Sequence, residues 1–221
     1  MFDTPIYIID FEGSHRSGVL EWGVVTLKEA CIVDARSRLC GNRANISNAE
    51  LAQHGISETL VRNLEPFEVD RETFMKYRQT GVLCAHHAVV EDGFLRNTWA
   101  YPRASKDFSS SNRDKLVASW GPWLDTLQIY RRLYPKLESY KLDALVLFFE
   151  LDSELKALSQ LYCEESRSQF HCALYDALGS ALLLKRLFSL KEFVDLSLNQ
   201  LFILSSVSND EFEKRSQSEL W

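Results

Sequence analysis

The segment "PIYIIDFEG", residues 5–13, is a β-branched and aromatic run that ends in two acids and a glycine. Such a run predicts a buried strand. Asp10 and Glu12 are two residues apart at its end, so their side chains leave the same face of the strand. Two carboxylates on one face repel unless a cation lies between them, and Mg²⁺ and Mn²⁺ prefer such oxygen ligands. Taken alone, the pattern is more typical of a solvated turn.

The segments that follow extend this strand into a mixed α/β domain. "GVLEWGVVTL" and "ACIVDARSRL" predict two more strands, which gives an antiparallel meander of three. "VLCAHHA" predicts a fourth strand with the helix "VVEDGFLRNTWAY" behind it, and "SWGPWLDT" includes a short strand. Four more helices are predicted over "LQIYRRLY", "YKLDALVLFFEL", "SELKALSQLYCEE" and "HCALYDALGSALLLKRLFSL". The order of these elements predicts a mixed sheet flanked by helices.

Local signals define two further helices and one loop. Ser47 and Glu50 have capping-box spacing, and Gly55 suits the residue just past a helix end. "PFEVDRETFMKYRQTG" predicts a helix closed by Gly81. The polar segment "RASKDFSSSNRDK", residues 103–115, predicts a long loop.

Composition limits the domain count and the class of protein. With 221 residues, 46% of them hydrophobic, the chain can bury one core and a small appendage. We expect one main domain over 1–190 and a C-terminal helical extension with a charged tail over 191–221. The most apolar late segment, "FVDLSLNQLFILSSV", contains Asp195 and Asn199 and is too short to span a bilayer.

Charge and cysteine content bear on partners and compartment. The net charge of -6 gives no global footprint for nucleic acid, although an acidic site that recruits divalent cations carries this sign. Five cysteines without zinc spacing, and an N-terminus unlike a secretory signal, predict a reduced, cytoplasmic protein without a membrane span.

Acids also occur at two later element ends. Glu91 and Asp92 begin the helix that follows the fourth strand, where the helix dipole alone favours acids. His171 and Asp176 lie in "HCALYD"; both point toward the strand ends if His171 precedes the first helical turn and Asp176 lies one turn in. Each pair by itself is commonplace.

Three motifs follow one another in the chain: Asp10 with Glu12, then Glu91 with Asp92, then His171 with Asp176. In this order they resemble the DnaQ-like, or DEDDh, family of 3'-5' exonucleases, including the epsilon-type proofreading exonucleases of DNA polymerase III. The similarity runs from about Pro5 to Leu187. "IIDFEGSHRSGVLEWGVVTL" is similar to the family's first motif, with Glu21 and Gly23 on the second strand. "AELAQHGIS" is similar to its helix ending in His-Gly-Ile, and "WLDTLQIYRRLYPKLESYKLDAL" to its Asp-Thr-Leu and Lys-Leu helices. The resemblance implies a ribonuclease H-like fold, with three antiparallel strands followed by parallel ones.

The resemblance also implies a two-metal hydrolysis of the terminal phosphodiester, with Mg²⁺ or Mn²⁺ as the two divalent ions. Asp10, Glu12 and Asp176 would bind the metals, with Asp10 bridging both. His171 would be the general base, a task that suits the near-neutral pKa of an ordinary histidine.

The second motif departs from the family pattern. The usual acid stands five residues after a histidine, which from His86 gives Glu91, with Phe94 and Leu95 in register behind it. Asp92 takes that place only if one residue is inserted. Adjacent helix positions point about 100° apart, so only one of the two acids can face the site. We favour Glu91 as a catalytic metal ligand.

Substrate contacts are predicted around these motifs. Ser14 to Gly18 would line the groove for the last nucleotide, with His86 beside it, and Val19 or Leu20 would wedge against the terminal base unless it is a core residue. Arg131, Arg132, Arg167 and the basic residues of the 103–115 loop would contact phosphates unless they are simply surface charges.

The sequence is compatible with two functions. The first is a metal-dependent 3'-5' exonuclease acting on single-stranded 3' ends, DNA preferred and RNA possible, releasing nucleoside monophosphates. The second is a polymerase-associated or scaffold protein with a weak nuclease site that binds a partner through its C-terminal segment. A homodimer or a polymerase partner is compatible with either function.

Overall fold

The computed structural model describes residues 3–100, 103–112, 114–193 and 196–206. A five-stranded sheet has the order β3-β2-β1-β4-β7. Strands β1 (Ile6–Ser14), β2 (Gly18–Lys28) and β3 (Cys31–Leu39) form the predicted antiparallel meander. Strands β4 (Val82–Ala85) and β7 (Trp123–Asp125) run parallel to β1. The predicted mixed sheet is therefore confirmed.

Helices cover both faces of this sheet. Their bounds are α1 Asn48–His54, α2 Glu58–Val61, α3 Arg71–Thr80, α4 Ala88–Thr98, α5 Thr126–Leu133, α6 Leu142–Phe148, α7 Asp152–Tyr162, α8 Ala173–Ser189 and α9 Leu198–Leu204. Short 3₁₀ turns occupy Phe67–Asp70, Glu165–Arg167 and Lys191–Phe193. None of the helices in the described ranges is long and apolar enough to cross a membrane.

Helix α1 has both of its predicted end signals. The Ser47 hydroxyl accepts from the Glu50 amide, and the Glu50 carboxylate accepts from the Ser47 amide, which completes the capping box. Gly55 closes the helix at φ 71°, a left-handed conformation that glycine adopts without strain. Glu50 also accepts from the Ser17 hydroxyl at 2.5 Å, so it joins α1 to the β1–β2 turn.

The long polar loop predicted over 103–115 is partly wrong. Two short strands, β5 (Ser105–Lys106) and β6 (Leu116–Val117), pair antiparallel at its two ends. Arg78 of α3 lies buried beneath them and donates to the carbonyls of Lys106, Ser119 and Gly121. These long-range bonds leave no mark on the local sequence, which therefore resembled an unstructured loop.

Alternation along β1 separates two hydrophobic layers. Ile6 and Ile8 face the layer that contains α8, whereas Ile9 and Phe11 face the aromatic layer beneath α3 and α4. Helix α8 buries an apolar stripe, namely Leu174, Ala177, Leu178, Ala181 and Leu182. Asp10 and Glu12 continue the row of Ile6 and Ile8, so β1 delivers both acids to the face covered by α8.

Helix α9 belongs to the same packed unit. Leu201 and Phe202 are buried in the α8 layer, and the Ser205 hydroxyl accepts from the Asp125 amide at 2.9 Å. The apolar face predicted as a partner-docking element is thus largely covered by its own domain. Residues 194–195 and 207–221 of the predicted extension lie outside the described ranges, and the boundary at residue 190 stays a prediction.

Candidate active site

A cleft of about 610 Å³ opens beside the carboxyl end of β1 and the start of α4. Acidic side chains from β1, α4 and α8 form its floor, and helices α5 and α6 form one wall. The lining residues include Asp10, Phe11, Glu12, Gln53, His86, His87, Val90, Glu91, Leu127, Arg131, Tyr140, Lys141, Leu142, Asp143, Phe170, His171 and Asp176. All five residues predicted from the first, second and third motifs therefore lie in one place.

Glu91 and Asp92 have different surroundings. Glu91 is buried at the cleft, and its Oε2 has no hydrogen-bond partner among the described residues. Asp92 accepts from the Trp123 indole nitrogen at 3.0 Å and pairs with Arg96 at 2.7 Å. The geometry thus favours Glu91 for the cleft and leaves Asp92 in a structural contact.

A single carboxylate sets the start of the helix that carries Glu91. Asp125 accepts from the amides of His87 and Ala88 at 3.1 and 3.0 Å, where α4 begins. It also accepts from Leu127 and Gln128 at 2.9 and 3.3 Å, where α5 begins. One buried side chain therefore caps two helices that border the cleft.

His171 and Asp176 have the arrangement predicted for the third motif. His171 lies just before α8 at φ 62°, and its amide donates to Asp176 Oδ2 at 3.1 Å. The imidazole is exposed, whereas Asp176 is buried and its Oδ1 has no partner among the described residues. Ligand atoms of Glu12, His171 and Asp176 lie within 4.8 Å of one another.

Burial and mutual repulsion make this cluster unfavourable without a positive charge. Burial, followed by repulsion from Asp176 and Glu21, raises the pKa of Glu12 from 4.5 to about 8. Burial also raises the pKa of Asp176 from 3.8 to about 7. The pKa values of Asp10 and Glu91 are raised as well, by burial first and then by neighbouring carboxylates.

This donor set fits divalent cations. Hard cations take oxygen ligands, and bringing a cation among the carboxylates would remove the repulsion that raises their pKa values. The partnerless oxygens of Glu91 and Asp176 are buried acceptors that a bound ion would satisfy.

A fifth acid, Glu21 of β2, lies beside the cluster but has its own partners. Arg167 donates to Glu21 through both Nε and Nη2, and the Ala173 amide donates to Oε2 at 2.9 Å. The resemblance pointed to Glu21 as a motif residue, but its contact with Arg167 could not be inferred because 146 positions separate the two.

The predicted nucleotide-binding residues divide into two groups. His86 lines the cleft, held between Thr126 Oγ1 and the Tyr140 carbonyl, each at 2.8 Å. Ser14 bonds to Ser17 within the β1–β2 turn, and Gly18 completes that turn at φ 84°. Ser14, Gly18 and Val19 all lie outside the cleft lining.

For Val19 and Leu20, the structure favours the core alternative over the apolar wedge. Val19 and Leu20 are buried, Val19 beneath the aromatic layer and Leu20 against Ile56 and Val61. Their alternation along β2 gives each of them a core to fill, so neither presents an exposed surface to a base.

Of the predicted phosphate-binding residues in the described part of the chain, Arg131 is the one that lines the cleft. Arg113 lies outside the described residues. Arg131 lines the cleft and lies over the Tyr140 ring at 5.6 Å. Arg132 donates to the carbonyls of Leu204 and Ser206, and Arg167 is engaged with Glu21, so both hold the fold together instead. In the 103–115 loop, Lys115 pairs with Asp107 at 2.9 Å.

Sequence reasoning missed other lining residues. Lys141, Gln53 and Phe170 face the cleft, and each adjoins a recognised segment: the Lys-Leu helix, the His-Gly-Ile turn and the third motif. Their position beside these segments is the sequence feature that could have predicted them, because their residue types alone do not indicate a site.

No protein-family model matches the chain. Its sequence is similar to "DNA polymerase III PolC-type" of Caldanaerobacter subterraneus subsp. tengcongensis, at 29% identity over 133 residues, 60% of this chain and 9% of that protein. The protein of the same name from Clostridium perfringens matches at 25% identity over 200 residues, 88% of this chain and 12% of that protein. The chain spans about a tenth of the length of these relatives.

Several nucleases of known structure have a similar fold. Exonuclease X in complex with 5' overhanging duplex DNA has a TM-score of 0.60 and 22% identity, over 91% of this chain and 99% of that one. The nuclease domain of 3'hExo, a DEDDh family member bound to rAMP, has a TM-score of 0.57 and 16% identity, over 85% and 92%. E. coli exonuclease I in complex with a dT13 oligonucleotide has a TM-score of 0.56 and 12% identity, over 84% and 41%. The fold predicted from the motifs is therefore confirmed, and the sequence similarity to polymerase III PolC-type proteins agrees with the predicted resemblance.

Proposed function

We propose that this chain, which resembles DnaQ-like exonucleases in sequence and in fold, is a metal-dependent 3'-5' exonuclease. The observation that carries the proposal is the convergence of Asp10, Glu12, Glu91 and Asp176 in one cleft with an exposed histidine at its edge. Four acids from three separate elements, largely without counter-charges, raise each other's pKa values and weaken the fold unless they bind something cationic.

Asp10, Glu12, Glu91 and Asp176 would hold two divalent ions, Mg²⁺ or Mn²⁺. Bound there, the ions would supply an activated water and would neutralise charge on the attacking and leaving oxygens. Asp10 is the residue that we expect to contact both ions, because, besides burial, Glu91, Asp176 and Glu12 all raise its pKa.

His171 is the proposed general base. Its exposed imidazole stands at the cleft edge within reach of the Glu12 and Asp176 oxygens, so a proton leaving an attacking water can pass to it. The bond from its amide to Asp176 fixes the backbone of the base against an acid of the cluster. On the opposite wall, His86 is held at both ring nitrogens and gives the cleft a rigid side.

The proposed substrate is a single-stranded 3' end, with DNA preferred over RNA and nucleoside monophosphates as products. Support comes from the DNA-bound neighbours and from the polymerase III relatives. The rAMP-bound neighbour supports RNA as a second substrate. Arg131 and Lys141 on the cleft wall provide positive charge for the phosphates of the strand. A cytoplasmic location remains part of this proposal.

The alternative is a polymerase-associated or scaffold protein with a weak site. The relatives named as polymerase III favour a polymerase partner, whereas no feature described here favours a homodimer. Burial of Leu201 and Phe202 within the domain argues against docking through α9.

A degradation assay separates these two functions. Single-stranded DNA, duplex DNA and RNA of one sequence, labelled at the 5' end, are incubated with Mg²⁺, with Mn²⁺ and with chelator. We expect a ladder that shortens from the 3' end only with metal, fastest on single-stranded DNA, and lost in Asp10→Ala and His171→Ala. Absence of degradation with either metal would leave the scaffold function as the better explanation.

A further inference from the structure

We propose that the Glu21–Arg167 pair is a positioning device that holds the loop of His171 in place. The inference rests on the proposed function for its catalytic consequence, but the anchoring itself is a property of the fold. Neither residue lines the cleft, so any effect on turnover would pass through the residues that do.

Both ends of the His171 loop are fastened to one carboxylate. Arg167, at the start of the segment, donates two hydrogen bonds to Glu21. Ala173, at its end, donates its amide to Glu21 Oε2 at 2.9 Å. The residues between them, with His171 near the middle, therefore form a short loop closed on a single side chain of β2. A two-pronged guanidinium–carboxylate contact fixes direction as well as distance.

Arg167 also joins this loop to α1. Its Nη1 donates to the His54 carbonyl at 2.6 Å, at the end of the helix that brings Gln53 to the cleft. Both partners of the ion pair are well shielded, with side-chain exposures of 12% for Arg167 and 4% for Glu21. Strand β2, helix α1 and the His171 loop thus meet at one guanidinium.

The anchoring is needed because His171 has an unfavourable backbone. Its φ of 62° lies in the left-handed region, which residues other than glycine seldom adopt. Such a conformation persists only when neighbouring contacts impose it. The bond from the His171 amide to Asp176 and the two ends held by Glu21 provide these contacts.

Glu21 differs from the acids of the cluster in its charge pairing and its hydrogen bonds. Its charge is matched by Arg167 and its two oxygens accept three hydrogen bonds. Glu91 and Asp176 each keep a buried oxygen without a partner in the described part of the chain. We therefore assign Glu21 to anchoring and not to metal binding.

The test compares Arg167→Gln with a matched control, Arg38→Gln. Arg38, opposite Trp22 on β3, contacts Asp70 of the 3₁₀ turn and the carbonyls of Glu65 and Pro66. These contacts lie on the other face of the sheet from the His171 loop. We expect Arg167→Gln to lower kcat by about 10- to 100-fold, with KM within about threefold, because misplacing a catalytic group by an ångström has effects of this size. Arg38→Gln should leave both constants near wild type.

A double substitution shows whether the effect passes through His171. In a His171→Ala background, Arg167→Gln should cause no further loss of kcat, since the base that it positions is gone. An equal, additive loss in that background would overturn the proposal and would indicate a general effect on the cluster. Arg167→Lys, which keeps the charge but loses the two-pronged contact, should recover only part of the activity.

Amide hydrogen exchange measures how firmly the His171 loop is held, without any activity measurement. In Arg167→Gln the amides of 168–172 should exchange at least about tenfold faster than in wild type, while those of α3 and α7 stay unchanged. Unchanged exchange in this segment would also overturn the proposal. If the wild-type protein proves inactive, the proposed function fails, and the exchange measurement alone then decides the anchoring.

Discussion

Glu91 and Asp92 are adjacent in the chain but face different surroundings, because consecutive helical residues point about 100° apart. Glu91 lines the cleft and has an oxygen without a partner in the described part of the chain, while Asp92 contacts Trp123 and Arg96. Counting from His86 favoured the same choice, but only the structure shows what holds the other acid.

Glu91→Gln should therefore damage catalysis far more than Asp92→Asn. Loss of a ligand charge at a metal site removes several kcal/mol of transition-state stabilisation, so we expect kcat to fall by at least about 100-fold. Asp92→Asn should change kcat by less than about threefold and lower the free energy of unfolding by about 1 kcal/mol, since it weakens one hydrogen bond and one exposed ion pair. Steady-state kinetics and urea unfolding measure the two effects. The reverse order in kcat would mean that the second motif is displaced by one residue.

Local and non-local residues differ in how far the sequence predicts them. Ser47, Glu50 and Gly55 act on amides of their own helix, so spacing alone predicts their contacts. Arg132 and Arg167 carry the same charge as a phosphate-binding arginine, and their real partners lie far along the chain. The left-handed backbone of His171 is likewise imposed by distant contacts, so no local pattern announces it.

At the scale of elements, the close approach of α8 to β2 places the third motif. A Cβ on Gly23 would lie 2.4 Å from the Ala173 carbonyl carbon and the Leu174 amide nitrogen, both of them backbone atoms. Only glycine allows the start of α8 to pack this close to the sheet, which brings Asp176 over the acids of β1.

Gly23→Ala should push the start of α8 away from β2. We expect a loss of about 2–3 kcal/mol in the free energy of unfolding, as for overpacking in a core, together with a fall in activity because His171 and Asp176 move with the helix. Gly93→Ala, within α4, is the matched control. A Cβ at this position would meet the His15 ring at 3.4 Å, which is an ordinary contact distance. That variant should be neutral or more stable by about 0.5–1 kcal/mol. Equal effects of the two variants on stability would contradict the steric explanation.

Substitutions in α9 test whether this helix is an integral part of the domain. Phe202 is fully buried in the α8 layer, and we expect Phe202→Ala to lower the free energy of unfolding by about 3–5 kcal/mol. Asn199→Ala, at an intermediate position on the same helix, should change it by less than about 0.5 kcal/mol. Thermal or urea unfolding decides between an integral helix and a loosely attached one. A small effect of Phe202→Ala would support a separate, partner-binding segment.

For the whole molecule, the raised pKa values couple stability to pH and metal. Glu12 and Asp176 have folded pKa values of about 8 and about 7, above their ordinary values of 4.5 and 3.8. The metal-free folded state therefore holds protons that the unfolded chain releases. The stability that these groups contribute is full below about pH 4, declines as the pH rises, and is lost once the pH passes the folded values.

Metal-free protein should accordingly melt at a lower temperature at pH 8.5 than at pH 6, apart from effects of other groups. Asp10→Asn should reduce this pH dependence, because it removes one of the charges that repel each other. Added Mn²⁺ should raise Tm more at pH 8.5 than at pH 6, since protons compete with the ion for the same oxygens. Calorimetric scans at the two pH values, with and without Mn²⁺, measure this. A metal effect that is larger at pH 6 would contradict the assignment.

The strand order carries a consequence for the newborn chain. Asp10 and Glu12 lie on β1, the middle strand of the sheet, and they leave the ribosome well before His171 and Asp176, which arrive with α8. Domains generally fold as units during synthesis, and pairings between distant parts of the chain are slow. Under the proposed function, a nascent chain that ends before α8 would lack the proposed base and one acid of the cluster, so we expect it not to degrade nucleic acid. Only release of nearly the whole domain would complete the set.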